Sequence, residues 1–222
     1  VSDRGNGGFE DEREVLVAQL ADRDRIQQET TLSALHSTPR HEFVPQHRQR
    51  EAYDDRPLPI GENQTISAPH MVAVMTDLLN LSPGDRVLEI GTGCGYHAAV
   101  TAEIVGSENV FSVEYHESLA QATRNRFRRL SHSDRFDYDD ISIRVGDGHD
   151  GWPEHAPYDA VYLTCAASNF PSSPVEQVRP GGRLLAPLGD DPQVLVLAEK
   201  QDNGSLARES HGFVRFIPMQ GE

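Results

Sequence analysis

Asp85-Arg86-Val87-Leu88-Glu89-Ile90-Gly91-Thr92-Gly93-Cys94-Gly95-Tyr96-His97-Ala98-Ala99-Val100 is the stretch on which the reading of this chain turns. Residues 85–91 form a run too short for a helix, with apolar residues on both parities, as a strand buried on both faces requires. Three glycines then interrupt the chain, and residues 96–106 follow as a helix with Gly106 as its stop. A buried strand that feeds a helix through a glycine-rich turn is the opening unit of a parallel sheet.

Downstream the alternation continues. Strands are predicted over 109–115, 141–148, 158–166, 183–189, 193–200 and 213–219, a helix over 118–130, and a short helix and turn over 173–182. No helical pattern separates the last two strands, so they are expected as an antiparallel edge. The fold class is therefore α/β: a Rossmann-like, doubly wound, mainly parallel seven-stranded sheet with an N-terminal helical extension.

Upstream, residues 1–11 are polar and glycine-rich and are expected to be disordered. An amphipathic helix is predicted from Glu12, with Val15, Leu16, Leu20 and Ile26 near one face, and a second helix over Thr30 to Leu35, limited by Pro39. Residues 39–69 read as irregular chain, packed through Phe43, Val44, Tyr53, Leu58, Ile60 and Ile66. A helix from Pro69 to Leu79 starts with proline at its first turn. Residues 12–80 thus precede an 81–222 core within one structural domain.

The formal net charge is -15, with nineteen Arg and one Lys, Lys200, among 20 basic residues against 35 Asp and Glu. That balance argues against a nucleic-acid partner. It points to a high-salt cytoplasm, because at molar salt the Debye length is about 3 Å and like charges stop repelling. No run approaches the roughly 20 apolar residues of a membrane helix, and residues 1–14 lack a signal peptide's apolar core, so a cytoplasmic protein is expected. Two cysteines, Cys94 and Cys165, make neither a disulfide scaffold nor a zinc framework, and no metal is expected.

Site chemistry gathers at strand ends. Gly91, Thr92, Gly93 and Gly95 form a loop that can turn tightly and approach a ligand closely. Alone it is weak evidence, since it also suits a dinucleotide enzyme. Yet the third glycine comes one residue earlier than in G-x-G-x-x-G, and Glu89 precedes the loop; both favour S-adenosylmethionine. Glu114 ends the second strand, 23 residues after Gly91, where an acid can accept from both ribose hydroxyls. Asp147-Gly148 ends the third, in position for an adenine amino group. Three matches at three successive strand ends are more specific than any one.

These residues resemble the class I methyltransferases. The segments RHEFVP, AYDDRPLPIGENQTISAPHMVA, VLEIGTGCGYHAAV, GDGHDGWPEHAPYD, VRPGGRLLAPLG and VRFIPM look like successive blocks of the protein-L-isoaspartate O-methyltransferases, in the same order, across residues 39–219. The resemblance implies methyl transfer from S-adenosylmethionine to the α-carboxylate of isoaspartyl residues in damaged proteins. By position it makes Ser67 the active-site serine and Gly91, Gly93 and Gly95 the cofactor loop. Glu114 becomes the ribose acid and Asp147-Gly148 the adenine-side pair. Ile60, Thr65, Ala68, Pro69, His70 and Val214 fall where the substrate peptide lies. The chain departs from the pattern at Cys165-Ala166-Ala167-Ser168-Asn169-Phe170-Pro171, where the family has several alanines before proline, and at Cys94, where many members carry serine.

That chemistry suits the residues. The nucleophile is a carboxylate, ionised at neutral pH, so no strong general base is needed. A neutral hydroxyl such as Ser67 can hydrogen-bond one carboxylate oxygen without quenching it. Plainer readings stand beside these. Ser67 is also a reasonable helix cap. Arg124, Arg126, Arg128 and Arg129 spread over more than one helix face and read as solvated. His97, His116, His149 and His155 read as surface residues, Trp152 as core beneath the crevice, and Cys94 and Cys165 as a reduced, closely packed pair. The competing functions are a methyltransferase for another small molecule or RNA, and a non-catalytic cofactor-binding adaptor for damaged proteins. A monomer is expected.

Overall fold

The computed structural model describes residues 7–22, 26–132 and 136–221. The chain runs α1 (Gly7–Ala21), α2 (Glu29–Ser37), two 3-10 turns (Arg40–Glu42, Gln46–Glu51), β1 (Leu58–Gly61), β2 (Gln64–Ile66) and α3 (Pro69–Leu79). It continues β3 (Val87–Ile90), α4 (Tyr96–Val105), β4 (Val110–Glu114), α5 (Glu117–Ser131), β5 (Ser142–Val145), β6 (Tyr158–Leu163), α6 (Ser172–Gln177), β7 (Val178–Leu188), β8 (Gln193–Lys200) and β9 (Leu206–Val214). The main sheet has seven strands in the order β5-β4-β3-β6-β7-β8-β9. Pairing is parallel from β5 through β7, and β8 and β9 add the antiparallel edge. The α/β, Rossmann-like reading of the sequence holds.

The order reverses direction at β3, with β4 on one side and β6 on the other. Crevices at the carboxyl ends of strands open at such a switch point. Alternate residues of β3 face opposite ways, as the pleat demands. Val87 joins a cluster with α4 residues Ala98 and Val105, and with Ala160 and Tyr162 of β6. Leu88 and Ile90 join a second cluster with Val161, Leu163 and Val178.

The N-terminal helix starts at Gly7, so residues 7–11 of the expected disordered stretch are helical; residues 1–6 lie outside those described. Phe9 gives the helix a reason to begin early, stacking on His41 at 4.3 Å between ring centroids. Leu16 and Leu20 are buried as expected, but Val15, one position round the helix, is 57% exposed. The segment 39–69 is less irregular than its composition suggests, because β1 and β2 pair as an antiparallel hairpin. Its turn uses Glu62 and Asn63, both at positive φ (49° and 57°), the conformation a tight hairpin turn requires.

Two corrections concern the C-terminal third. Residues 178–182, expected as a turn, belong to β7. The last strand, expected over 213–219, is β9 at Leu206–Val214. The turn before it contains Gly204 at φ 82°, and residues beyond Val214 cross back toward β6, with Ala166 bridging Pro218. Among the described residues no helix is long and apolar enough to cross a membrane.

Candidate active site

A cavity of about 830 Å³ lies at the carboxyl ends of β3, β4 and β6, within the size range of small-molecule sites. The structure brings nine sequence-predicted residues to its wall: Thr65, Ser67, Ala68, His70, Gly91, Gly93, Glu114, Gly148 and Val214.

The floor is the glycine loop, tied down on every side. Gly91 N–H donates to Val113 O at 2.8 Å, and Gly93 N–H donates to Glu114 Oε2 at 2.7 Å. Thr123 Oγ1 donates to Gly93 O at 2.8 Å, and Arg126 Nη1 to Cys94 O at 3.0 Å. Arg126 also donates from Nε to Glu42 O at 3.0 Å, and Arg124 to Ile143 O at 2.8 Å. Two of the four helix arginines therefore hold backbone carbonyls instead of standing in solvent. Gly95, at φ 82°, does not line the cavity; a Cβ there would sit 2.5 Å from Thr123 Cγ2 and 2.6 Å from Phe127 Cζ, so it lets α5 close on the loop.

Glu114 is 4% exposed. Its Oε1 accepts from His116 N–H at 2.9 Å while Oε2 takes Gly93, so the carboxylate is fixed at the cavity wall with acceptor capacity to spare. The apolar wall beside it comes from Ile90, Val113, Gly148 and Met219. A Cβ at Gly148 would press on Ile90 and reach 2.7 Å from Met219 Cε, so only glycine keeps this wall flat. An anchored acid beside a flat apolar slot fits an adenosine group. Asp147 is not among the residues that line the cavity; its carboxylate accepts from His149 N–H at 2.8 Å and lies beside Gly221.

Glu89 and Thr92 lie beneath the floor rather than in the cavity. Glu89 is fully buried. Tyr162 donates to its Oε1 at 3.0 Å, and Ser112 Oγ lies 2.5 Å from its Oε2. Burial pushes its carboxyl up to about 8, which those two bonds only partly offset. Thr92 Oγ1 shares a 2.6 Å bond with Ser112 Oγ, so the acid supports the loop through two hydroxyls. His97, expected at the surface, is buried on α4; its ring centroid lies 4.5 Å from that of Tyr162.

The other wall comes from the hairpin, the start of α3 and the C-terminal segment. The N-cap of α3 is Ala68, which has no side chain to cap with. The cap is supplied from fifteen residues upstream, where Asp55 Oδ1 accepts from His70 N–H at 2.9 Å. Ser67 is thus not the cap of this helix, and it lines the cavity. Pro69 is buried at the helix start, and Ile60 lies behind Gly93, its Cδ1 3.2 Å from where a Cβ there would be.

Three contributors were not singled out from sequence. Thr164 lines the cavity and donates from Oγ1 to Gly91 O at 2.5 Å. Asp55 holds His70. Residues 213–220 form a whole wall, of which only Val214 was named; Gln193 Oε1 accepts from Phe216 N–H at 2.9 Å and pins it. Cys94 and Cys165 belong to different apolar clusters, and Cys165 lines the cavity beside Gly91.

Residues 11–222 match the model of the protein-L-isoaspartate(D-aspartate) O-methyltransferase family. Protein-L-isoaspartate O-methyltransferase 2 of Archaeoglobus fulgidus is 49% identical over 205 residues, covering 90% of this chain and 91% of that one. The corresponding protein of Methanopyrus kandleri is 45% identical, covering 96% and 93%. A solved protein-L-isoaspartate O-methyltransferase superposes with a TM-score of 0.83 at 29% identity, over 94% of this chain and 66% of that chain, just under two thirds. A Plasmodium falciparum structure described as a protein of this kind, in complex with S-adenosyl-L-homocysteine, shares the fold at a TM-score of 0.80 and 24% identity, over 94% and 98%. On the match across nearly its whole length, the chain belongs to the protein-L-isoaspartate(D-aspartate) O-methyltransferase family.

Proposed function

We infer that this chain transfers the methyl group of S-adenosylmethionine to the free α-carboxylate of L-isoaspartyl residues in damaged proteins, the first step of their repair. The observation that carries this reading is the sharing of one cavity by Glu114 and the glycine loop on one wall and Ser67 on another.

Glu114 would hold the ribose hydroxyls, and Ile90, Val113 and Gly148 the adenine. Bound there, S-adenosylmethionine supplies an activated methyl on a sulfonium. The chain's own residues have a limited task. The substrate carboxylate is already ionised, so no proton need be removed. Ser67 donates one hydrogen bond to it and leaves the other oxygen free to attack. Orientation is the main contribution, worth roughly 7–11 kcal/mol in well-aligned systems. Thr65, Ala68, His70 and Val214 line the approach of the peptide, with Ile60 and Pro69 supporting them from behind.

We further propose that the enzyme works as a monomer in a high-salt cytoplasm and has no nucleic-acid partner, on the strength of the -15 charge and single lysine. The test is methyl transfer from labelled S-adenosylmethionine to an isoaspartyl peptide and its Asp twin, in KCl from about 0.1 M to 3 M, where screening shrinks from about 10 Å to below 3 Å. The isoaspartyl peptide should be methylated and the Asp twin essentially not, with activity rising with salt. Comparable rates on both would leave a methyltransferase of another substrate. No transfer to either, with cofactor bound, would favour the adaptor. Activity indifferent to salt would remove the high-salt reading alone.

A further inference from the structure

The substrate wall contains a pair that the chemistry above does not use. Asp55 Oδ1 accepts from the backbone N–H of His70 and also lies 2.8 Å from His70 Nδ1. The segment that carries this carboxylate is itself held. Arg40 is fully buried, donates from Nε to Ala52 O at 2.8 Å, and spreads its guanidinium 4.9 Å from the Tyr96 ring centroid. Tyr53 shares a 2.8 Å bond with His41 Nδ1. On the other side of Asp55, Arg40 Nη2 reaches Arg56 O at 3.5 Å, so segment 52–56 is held on both sides of Asp55, and Asp55 in turn clamps the first turn of α3.

A carboxylate can only accept, so in the neutral imidazole it places the one ring proton on Nδ1. Nε2, on the opposite edge of the ring, then carries the lone pair, on a residue that lines the same cavity as Ser67 and lies three positions after it. A lone pair repels a carboxylate and needs a donor. An isoaspartyl peptide offers a carboxylate and, displaced from it by the extra methylene of the rerouted backbone, amide N–H groups.

We propose that Asp55 is a positioning residue that fixes the His70 tautomer, so that Ser67 reads the isoaspartyl carboxylate while His70 Nε2 accepts an amide N–H of the same peptide. Two complementary groups at a set spacing recognise the isoaspartyl linkage, because a normal Asp presents its carboxylate and amides at a different offset. This proposal rests on the isoaspartyl reading of the site.

Steady-state kinetics on the isoaspartyl peptide and its Asp twin, with adenosylhomocysteine affinity by calorimetry, tests it. His70→Asn keeps a donor toward Asp55 and lacks the distal acceptor; KM should rise roughly 3- to 10-fold, the worth of one net hydrogen bond, with kcat and adenosylhomocysteine affinity little changed. His70→Gln, which can place an amide oxygen near the Nε2 position, should recover much of the loss. Asp55→Asn should raise KM when His70 is present and add nothing in a His70→Ala background, since the two act as one unit. An Asp55→Asn effect on KM that is equal in both backgrounds makes Asp55 a helix cap only and overturns the proposal. So does a wild-type KM in His70→Asn. A wild-type chain that methylates both peptides alike removes the isoaspartyl reading itself, and this proposal with it, whatever the variants do.

Discussion

Gly91 and Gly61 both stand at positive φ, 98° and 106°, one in the loop at the floor of the cavity and one in the hairpin that carries Thr65. Their surroundings are unlike. A Cβ on Gly91 would be driven into Thr164 Oγ1, with Cys165 Sγ 3.8 Å away; a Cβ on Gly61 would meet nothing within 4 Å. At Gly91 the backbone is packed closely against side chains, whereas at Gly61 the hairpin turn has space around it. A cofactor that is the same in every turnover suits the first kind of wall. Damaged proteins, which present the same linkage in many sequences, suit the second.

The sharpest way to break that comparison is the same substitution in both places. Gly61→Ala should cost about 1–2 kcal/mol, the penalty of a left-handed backbone alone. Gly91→Ala adds overpacking, worth about 1–3 kcal/mol more, and should also weaken adenosylhomocysteine binding. Melting temperatures and calorimetry on the pair settle it; equal losses would mean that the loop relaxes and packing does not distinguish the walls.

Glu114→Ala comes next. Losing a charged acceptor should cost about 1.5–3 kcal/mol, or roughly 10- to 150-fold in adenosylhomocysteine affinity. The fold should persist, although the variant also releases the N–H groups of Gly93 and His116. Unchanged affinity would take the ribose away from this acid. On the other wall, Ser67→Ala should lower kcat about 10-fold and raise KM less, since its bond is worth most where the carboxylate is aligned for attack. Full activity would reduce Ser67 to a lining residue without touching cofactor binding.

The packed wall was also the more legible one. Val87, Leu88 and Ile90 are buried on both faces of the sheet, and such a strand announces itself as an unbroken apolar run whatever its neighbours do. The glycines follow from the turn they must make. Strand β9 was misplaced for the opposite reason: most of Leu206–Val214 is exposed or half-exposed, so it carries no apolar pattern. The denser run at 213–219 is apolar because it lines a cavity. Asp55 stayed hidden because capping by a residue 15 positions upstream leaves no local trace. Glu89, expected among the cofactor-binding residues, lies beneath the loop and does not line the cavity. Strand parity places it on the face of Val87, where Ser112 and Tyr162 take it.

Two buried groups beneath the packed wall, both against Tyr162, set how stability responds to pH. Burial lowers His97 from 6.5 to about 3 and raises Glu89 from 4.5 to about 8, so both are neutral in the folded protein near pH 7. Unfolding lets His97 take up a proton below pH 6.5, so its contribution to stability is full above 6.5 and is lost as pH falls toward 3. Unfolding lets Glu89 release its proton above pH 4.5, so its contribution is full below 4.5 and is lost as pH rises toward 8. Each limb has a slope of at most about 1.4 kcal/mol per pH unit, or roughly 3–6 °C in melting temperature for a chain of this size. Between about pH 4.5 and 6.5 the two slopes oppose and cancel, so this pair contributes a plateau with a fall on either side. Glu89→Gln should remove the alkaline fall, its melting temperature gaining on the wild type from about pH 4.5 to 8. His97→Gln should remove the acid fall and turn the plateau into a steady decline with pH. Both variants should leave the Asp55–His70 pair, and therefore KM for the peptide, unmoved. Melting curves for Glu89→Gln that run parallel to the wild type across pH 5–9 would mean that Glu89 is already ionised in the fold, held by Ser112 and Tyr162 more strongly than burial opposes it.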